Sequence, residues 1–278
     1  MKAQNLVSLA VALAVILLAL LLGGDFTMFI NPAGLLLVVG GTLAGVFLAF
    51  PLETLIGLWD QLKSLGGGRR VLQGDKLVRI FVALARLQRA QGSVALEAAA
   101  AKTGNVFLQM GTRLLADQVP RQEIRERLEQ EFEFFASRRE AQRAVLGLMG
   151  RLAPAFGLAG TMIGLIRMLH TVSDPGAVSE GMSVALLTTF YGIMLANLIV
   201  LPLERKLGEI TRAEAVEMTL IIEGILGLAA GENGAAIEAR LRSFGLAQGG
   251  HTPSRTWADR YRGLVAGMRP ARSGGHEH

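Results

Sequence analysis

The 278-residue sequence has no cysteine, so disulfides, thiolate metal sites and a cysteine nucleophile are excluded. Charge is also scarce. Lys, Arg, Asp and Glu make up 18% of the chain, against about 25% in an average soluble domain. Acidic residues are missing where they would matter most. Four long apolar runs, Asn5–Gly24, Pro32–Phe50, Leu152–Leu169 and Met182–Leu203, contain no Asp, Glu or His. A chain that moves protons or ions unaided usually needs a carboxylate inside the membrane. No Gly-x-Ser-x-Gly or His-Glu-x-x-His pattern is present, and Gly66-Gly67-Gly68 lacks the Lys-Ser/Thr ending of a phosphate loop. These absences argue against a catalytic site, a metal site, a cofactor and a self-contained channel.

What is abundant is apolar surface and glycine: 51% hydrophobic residues and 34 Gly. About 20 apolar residues cross about 30 Å of hydrocarbon, and each of the four runs is close to that length. The first has Lys2 before it but is too long for a signal-peptide core and is followed at once by another run, so it reads as a retained helix. Arg167, near one end of the third run, is its one interior charge.

The basic residues follow this topology. Sixteen of the 28 Lys and Arg lie in Pro51–Arg151 and ten follow Leu203, while the connectors Asp25–Asn31 and His170–Gly181 have none. The positive-inside rule then places both termini and the long middle segment in the cytoplasm of a multi-pass membrane protein. The net charge of +5 is thereby explained by membrane topology and anionic lipid, with no nucleic-acid partner required.

The expected fold class is all-α: four transmembrane helices and a helical cytoplasmic domain. The domain reading is 1–50 for the first two spans, 51–151 for a cytoplasmic helical domain, 152–203 for spans three and four, 204–245 for a cytoplasmic helical extension and 246–278 for a disordered basic tail. Leu77, Ile80, Phe81, Leu84 and Leu87 keep helical spacing. Further helices are expected over Ala95–Leu115 and Arg121–Leu146. Another should continue span four over Glu204–Leu228 and stop at Gly231, and a last one should start at Asn233 and end near Gly245. His276 and His278 read as part of the solvated tail.

Small and hydroxyl residues mark spans three and four. Gly157, Gly160, Thr161 and Gly164 lie on one; Ala185, Thr188, Thr189, Tyr191, Gly192, Ala196 and Asn197 lie on the other. Small residues four apart allow close helix approach. The bland reading of each threonine is a hydroxyl bonded one turn back; the functional one is an oxygen lining for a hard cation. Pro154 and Pro202 stand at the cytoplasmic ends of the two spans, as plain boundaries or as a paired hinge.

The run Ala153–Leu165, the run Ala185–Gly192 with Ala196-Asn197 and Leu201-Pro202, the Val38–Thr42 segment, and Glu223–Leu226 with Gly231-Glu232-Asn233 together resemble the MotA/PomA family of flagellar stator subunits. The related TolQ/ExbB proteins usually have three spans, and four favour the MotA branch. The resemblance implies a pentameric ring around a MotB/PomB-like dimer that supplies the ion-binding Asp. It also implies torque on a flagellar rotor ring. By the same resemblance, Thr161, Thr188, Thr189 and Tyr191 belong to the ion pathway, Pro154 and Pro202 to conformational coupling, and Arg89 and Glu97 to rotor contact. The threonines favour Na⁺ as the transported ion over the alternative, H⁺; Asn31, where the PomA type has Asp, weighs against sodium. Ala90 and Gly234 depart from the common family pattern. The alternative function is a non-flagellar rotary subunit of the TolQ/ExbB type powering envelope work.

Overall fold

The structure is a computed structural model that describes residues 26–67, 74–170 and 175–249. The expected first span Asn5–Gly24 and the tail histidines lie outside the described residues. Everything regular among the described residues is helical. After a short 3₁₀ turn at Phe26–Phe29 come α1 (Pro32–Ala49), α2 (Leu52–Gly67), α3 (Gly74–Gln91), α4 (Val94–Ala101) and α5 (Val106–Ala116). The 50-residue α6 (Arg121–His170) follows, then α7 (Pro175–Met194), a π-helical stretch Leu195–Val200, α8 (Leu201–Ala229) and α9 (Gly234–Gly249). Among the described residues three helical stretches are long and apolar enough to cross a membrane: Pro32–Ala49, a window within α6, and a window within Val178–Ala229.

The chain divides into two compact units. The first takes residues 1–70 and 134–213, and the second residues 71–133 and 214–278, so α6 and α8 contribute to both. In the second unit Leu77, Phe81, Leu96, Leu108, Ile124, Leu128, Ile221, Ile225 and Leu226 are fully buried in one cluster. Ile80 and Leu87 pack against it, as the spacing of α3 predicts. In the first unit Val46, Leu58, Val145, Leu146, Val200 and Leu207 form a smaller cluster.

Several expected helix limits are corrected. The single helix over Ala95–Leu115 is two, separated at Lys102–Asn105. Gly104 takes φ +69°, and the Asn105 side chain accepts the Leu108 N–H at 2.9 Å to start α5. The helix expected to end at Leu146 runs on without interruption to His170. The last helix passes Gly245 and ends at Gly249, so 246–249, assigned to a disordered tail, are helical. Gly231 does stop α8, at φ +68°, and Asn233 caps α9 by accepting the Ala236 N–H at 2.7 Å.

Two π-helical stretches interrupt the membrane helices. One, Leu36–Gly40, lies within α1, where the buried Thr42 hydroxyl donates to the Val38 carbonyl at 2.6 Å. The other, Leu195–Val200, ends two residues before Pro202. Proline has no N–H to give the Leu198 carbonyl, and a π widening is one way a helix absorbs that loss.

Candidate functional site

Spans three and four meet along their glycines. A Cβ on Gly164 would lie 2.6 Å from the Gly181 carbonyl oxygen, and one on Gly157 would lie 2.9 Å from the Thr188 carbonyl oxygen. A Cβ on Gly192 would lie 2.5 Å from the Ala153 carbonyl oxygen and 3.1 Å from Pro154 Cα. Real Cβ atoms do not approach this closely, so the seam requires glycine at these positions. Lipid tails are as apolar as leucine, so membrane helices gain little by hiding large side chains and more by close backbone packing. Span two joins the pair through Gly34, against Thr188, and through Gly41 and Gly45, against Phe156 and Leu152.

The three threonines converge on one carbonyl. Ala185 O is 3.2 Å from the Thr161 hydroxyl, 3.1 Å from that of Thr188 and 3.4 Å from that of Thr189. Thr161 also donates toward Gly157 O at 3.2 Å, one turn back. The Thr161 and Thr189 hydroxyls lie 2.6 Å apart across the two helices. Thr188 differs from the other two. It is fully buried, its hydroxyl reaches Val184 O at 3.0 Å, and its methyl group packs toward Gly34. Thr161 and Thr189 are part-buried. The geometry therefore joins Thr161 with Thr189 as a cross-helix oxygen pair and gives Thr188 an internal packing position.

Tyr191 stands apart from that cluster. Its hydroxyl donates to Phe29 O at 2.5 Å and accepts the Asn31 N–H at 2.8 Å. Asn31 in turn caps α1 by accepting the Gly34 N–H at 2.8 Å. The Tyr191 phenol thus ties the segment entering span two to span four, with Phe190 stacked at a tilt between Phe29 and Tyr191. Both partners lie about 160 positions away in sequence, so no local pattern announces this role.

Pro154 and Pro202 sit on neighbouring stretches of the same helix pair. Pro154 is inside α6 and leaves the Gly150 carbonyl without its usual helical donor. Gly150 faces Val200 and Leu201, immediately before Pro202. The two weakened turns are therefore adjacent. Beyond them Arg143 Nε lies 3.4 Å from Glu204 Oε1 and closes the end of the pair with opposite charges.

In the second unit Arg89 and Glu97 are both exposed. Arg89 is in the last turn of α3 and Glu97 in the first turn of α4, each where the helix dipole favours its charge. Arg86 and Arg89 line a cleft with Asn233, Gly234 and Glu238. Also in this unit, Arg240 pairs with Glu232 and, at 3.4 Å, with Glu223. Partial burial lowers the Arg240 pKa, but the bonds and charges of Glu232 and Glu223 outweigh it and raise it above the ordinary arginine value. Among the described residues no group of three His, Cys, Asp or Glu could hold a metal ion.

Residues 99–219 match the model of the MotA/TolQ/ExbB proton channel family. The chain is 31% identical over 247 residues to the chemotaxis protein PomA of Vibrio alginolyticus, covering 88% of this chain and 95% of that protein. It is 31% identical over 230 residues to motility protein A of Treponema phagedenis, covering 83% and 88%. Among solved structures, that of C. jejuni MotAB superposes with a TM-score of 0.77 at 25% identity, over 87% of this chain and 95% of that one.

Proposed function

The chain belongs to the MotA/PomA family of flagellar stator subunits, and from that premise we propose that it forms the ring of a sodium-driven rotary motor. Members of this family are components of an ion channel and not enzymes. The apolar helices and the family together fit a multi-pass protein of the inner membrane.

In the proposed assembly five copies surround a MotB/PomB-like dimer, and both termini face the cytoplasm. The partner contributes the ion-binding Asp, which this chain's described spans lack. Thr161 and Thr189, with the Ala185 carbonyl, supply oxygens beside the ion's path. Pro154 and Pro202 are the turns that yield as the ring advances. Arg89 and Glu97 engage the rotor ring.

The observation that carries this reading is the Thr161–Thr189 oxygen pair, 2.6 Å apart, in a helix seam with no carboxylate of its own. Na⁺ is a hard cation bound by several oxygens, and hydroxyl and carbonyl groups suit it. A proton needs no such set. The similarity to PomA over most of both chains supports the same choice.

The test is rotation in stator-deleted cells that express this chain with its cognate partner. Sodium is exchanged for potassium at fixed pH and membrane potential. Rotation in sodium alone is the expected result, and Thr161→Val or Thr189→Val should raise the sodium requirement more than Thr188→Val does. Equal rotation in both salts would make the ion a proton and leave the threonines to packing. An assembled complex that turns no flagellum in either salt would favour the envelope-powering TolQ/ExbB type, which the matched family model also covers.

A further inference from the structure

Helix α2 has two apolar faces, and only one of them is used. Leu58 is buried in the first unit's cluster, with Leu55 and Leu62 packed beside it. On the opposite side Leu52, Ile56 and Trp59 are 64%, 61% and 60% exposed. Their spacing, four and then three positions, places them on one stripe, and Lys63 extends it by another turn. An outward row of Leu, Ile and Trp facing water would cost about 25 cal/mol for each Å² of apolar surface. Something apolar covers it.

The position of the stripe along the chain indicates what that cover is. Helix α2 begins three residues after the apolar helix Pro32–Ala49, separated by an extended Phe50 and by Pro51. At the end of that span, just before the stripe, Phe47 and Leu48 are 56% and 90% exposed. The order along the chain follows the layers of a membrane surface. Leu48, Leu52 and Ile56 suit the acyl boundary. Trp59 lies about 10 Å beyond Leu52 along the axis, at about 1.5 Å per residue, and has the amphipathic ring typical of the interfacial belt. Lys63 then adds a cation, and its ammonium bends back to within 5.4 Å of the Trp59 ring. A long-stemmed cation beside an interfacial tryptophan stands at the level where anionic headgroups attract it.

The geometry points to a site for an anionic phospholipid on the outer face of α2, with acyl chain on Leu52 and Ile56, interface on Trp59 and headgroup on Lys63. By the positive-inside rule the lipid belongs to the cytoplasmic leaflet. The site anchors the helix that leaves span two, and it is independent of which ion the motor uses.

The sequence has two tryptophans, Trp59 and Trp257. The full chain carrying Trp257→Phe, in complex with its partner, is reconstituted into nanodiscs with or without brominated lipid. The Trp59 signal is the difference from the same complex carrying Trp59→Phe as well, which subtracts any partner tryptophan. Brominated lipid should quench that signal. Brominated phosphatidylglycerol should do so about fivefold more effectively than brominated phosphatidylcholine, the ratio expected for one surface cation. Lys63→Gln should remove that preference while leaving the quenching itself. Unquenched Trp59 emission would overturn the proposal: a blue-shifted, unquenched signal would assign the stripe to a second copy or to the partner, and a red-shifted one to water. Quenching with no headgroup preference, or a preference that survives Lys63→Gln, would overturn the role of Lys63 and with it the anionic site.

Discussion

The second unit's core is made of large side chains such as Phe81, Leu108 and Ile225, whereas spans three and four meet through Gly157, Gly160, Gly164, Gly181 and Gly192. The solvents explain the contrast. Around the second unit water drives apolar area inward, and volume is what counts. Around the spans lipid offers no such drive, so packing distance and hydroxyl bonds hold the helices together. One chain follows both rules, and each can be broken on its own.

The largest expected effect is in the water-driven core. Phe81 is fully buried, and Gly224 sits against its ring. Phe81→Ala should destabilise the unit by about 3–5 kcal/mol, read as a fall in unfolding temperature or as loss of accumulated protein. The seam should fail by the opposite change. Gly192→Ala adds volume where backbone is the neighbour, and overpacking of this kind costs about 1–3 kcal/mol. It should loosen the helix pair in detergent while leaving the second unit's melting unchanged. A matching loss in both would merge the two rules into one.

Smaller effects sharpen the comparison. Tyr191→Phe removes a phenol that donates to Phe29 and accepts from Asn31, and it should cost about 1 kcal/mol. Cysteine pairs across these segments, introduced into this cysteine-free chain, should then crosslink less readily. Arg240→Ala should cost a similar amount, about 1 kcal/mol, because its ion pairs are partly exposed. Its pH signature follows from the sign of the shift. A cation with a raised folded pKa contributes stability that is fully present below the ordinary arginine value and lost only above the raised one. The Arg240→Ala deficit should therefore be flat from pH 6 to about 10 as far as arginine titration is concerned; a deficit that vanished within that window would transfer the effect to other groups. Least of all, Arg89→Glu and Glu97→Lys should change stability by no more than about 0.5 kcal/mol, since both residues are exposed. Any loss of torque would then report rotor contact and not misfolding.

Much of this was readable from the chain because the physics is local. Apolar runs marked the three described spans, and Gly231 and Asn233 marked a stop and a start that depend on their own backbone and side chain. The break at Lys102–Asn105 is masked in the sequence because the five alanines from Ala95 to Ala101 carry strong helix propensity, although Thr103-Gly104-Asn105 is a turn signal. The sequence suggests too early an end for the fifty-residue α6, at Leu146, for a different reason. Charge density changes there, but a helix continues through a change of solvent as long as its backbone bonds do. At the site, sequence supplied the threonines but not their unequal surroundings. That Thr188 turns inward while Thr161 meets Thr189 depends on how two helices are rotated against each other. The Tyr191 tie to Phe29 and Asn31 is tertiary in the same way.

The shared Ala185 carbonyl has a consequence for protons. Thr161, Thr188 and Thr189 each own a single hydroxyl hydrogen, while the Gly157, Val184 and Ala185 carbonyls and the facing hydroxyl all lie within reach. Those hydrogens can be distributed in several ways with every heavy atom fixed. The cluster is therefore degenerate: it can reverse the direction of its dipoles by turning O–H bonds alone, without moving either helix.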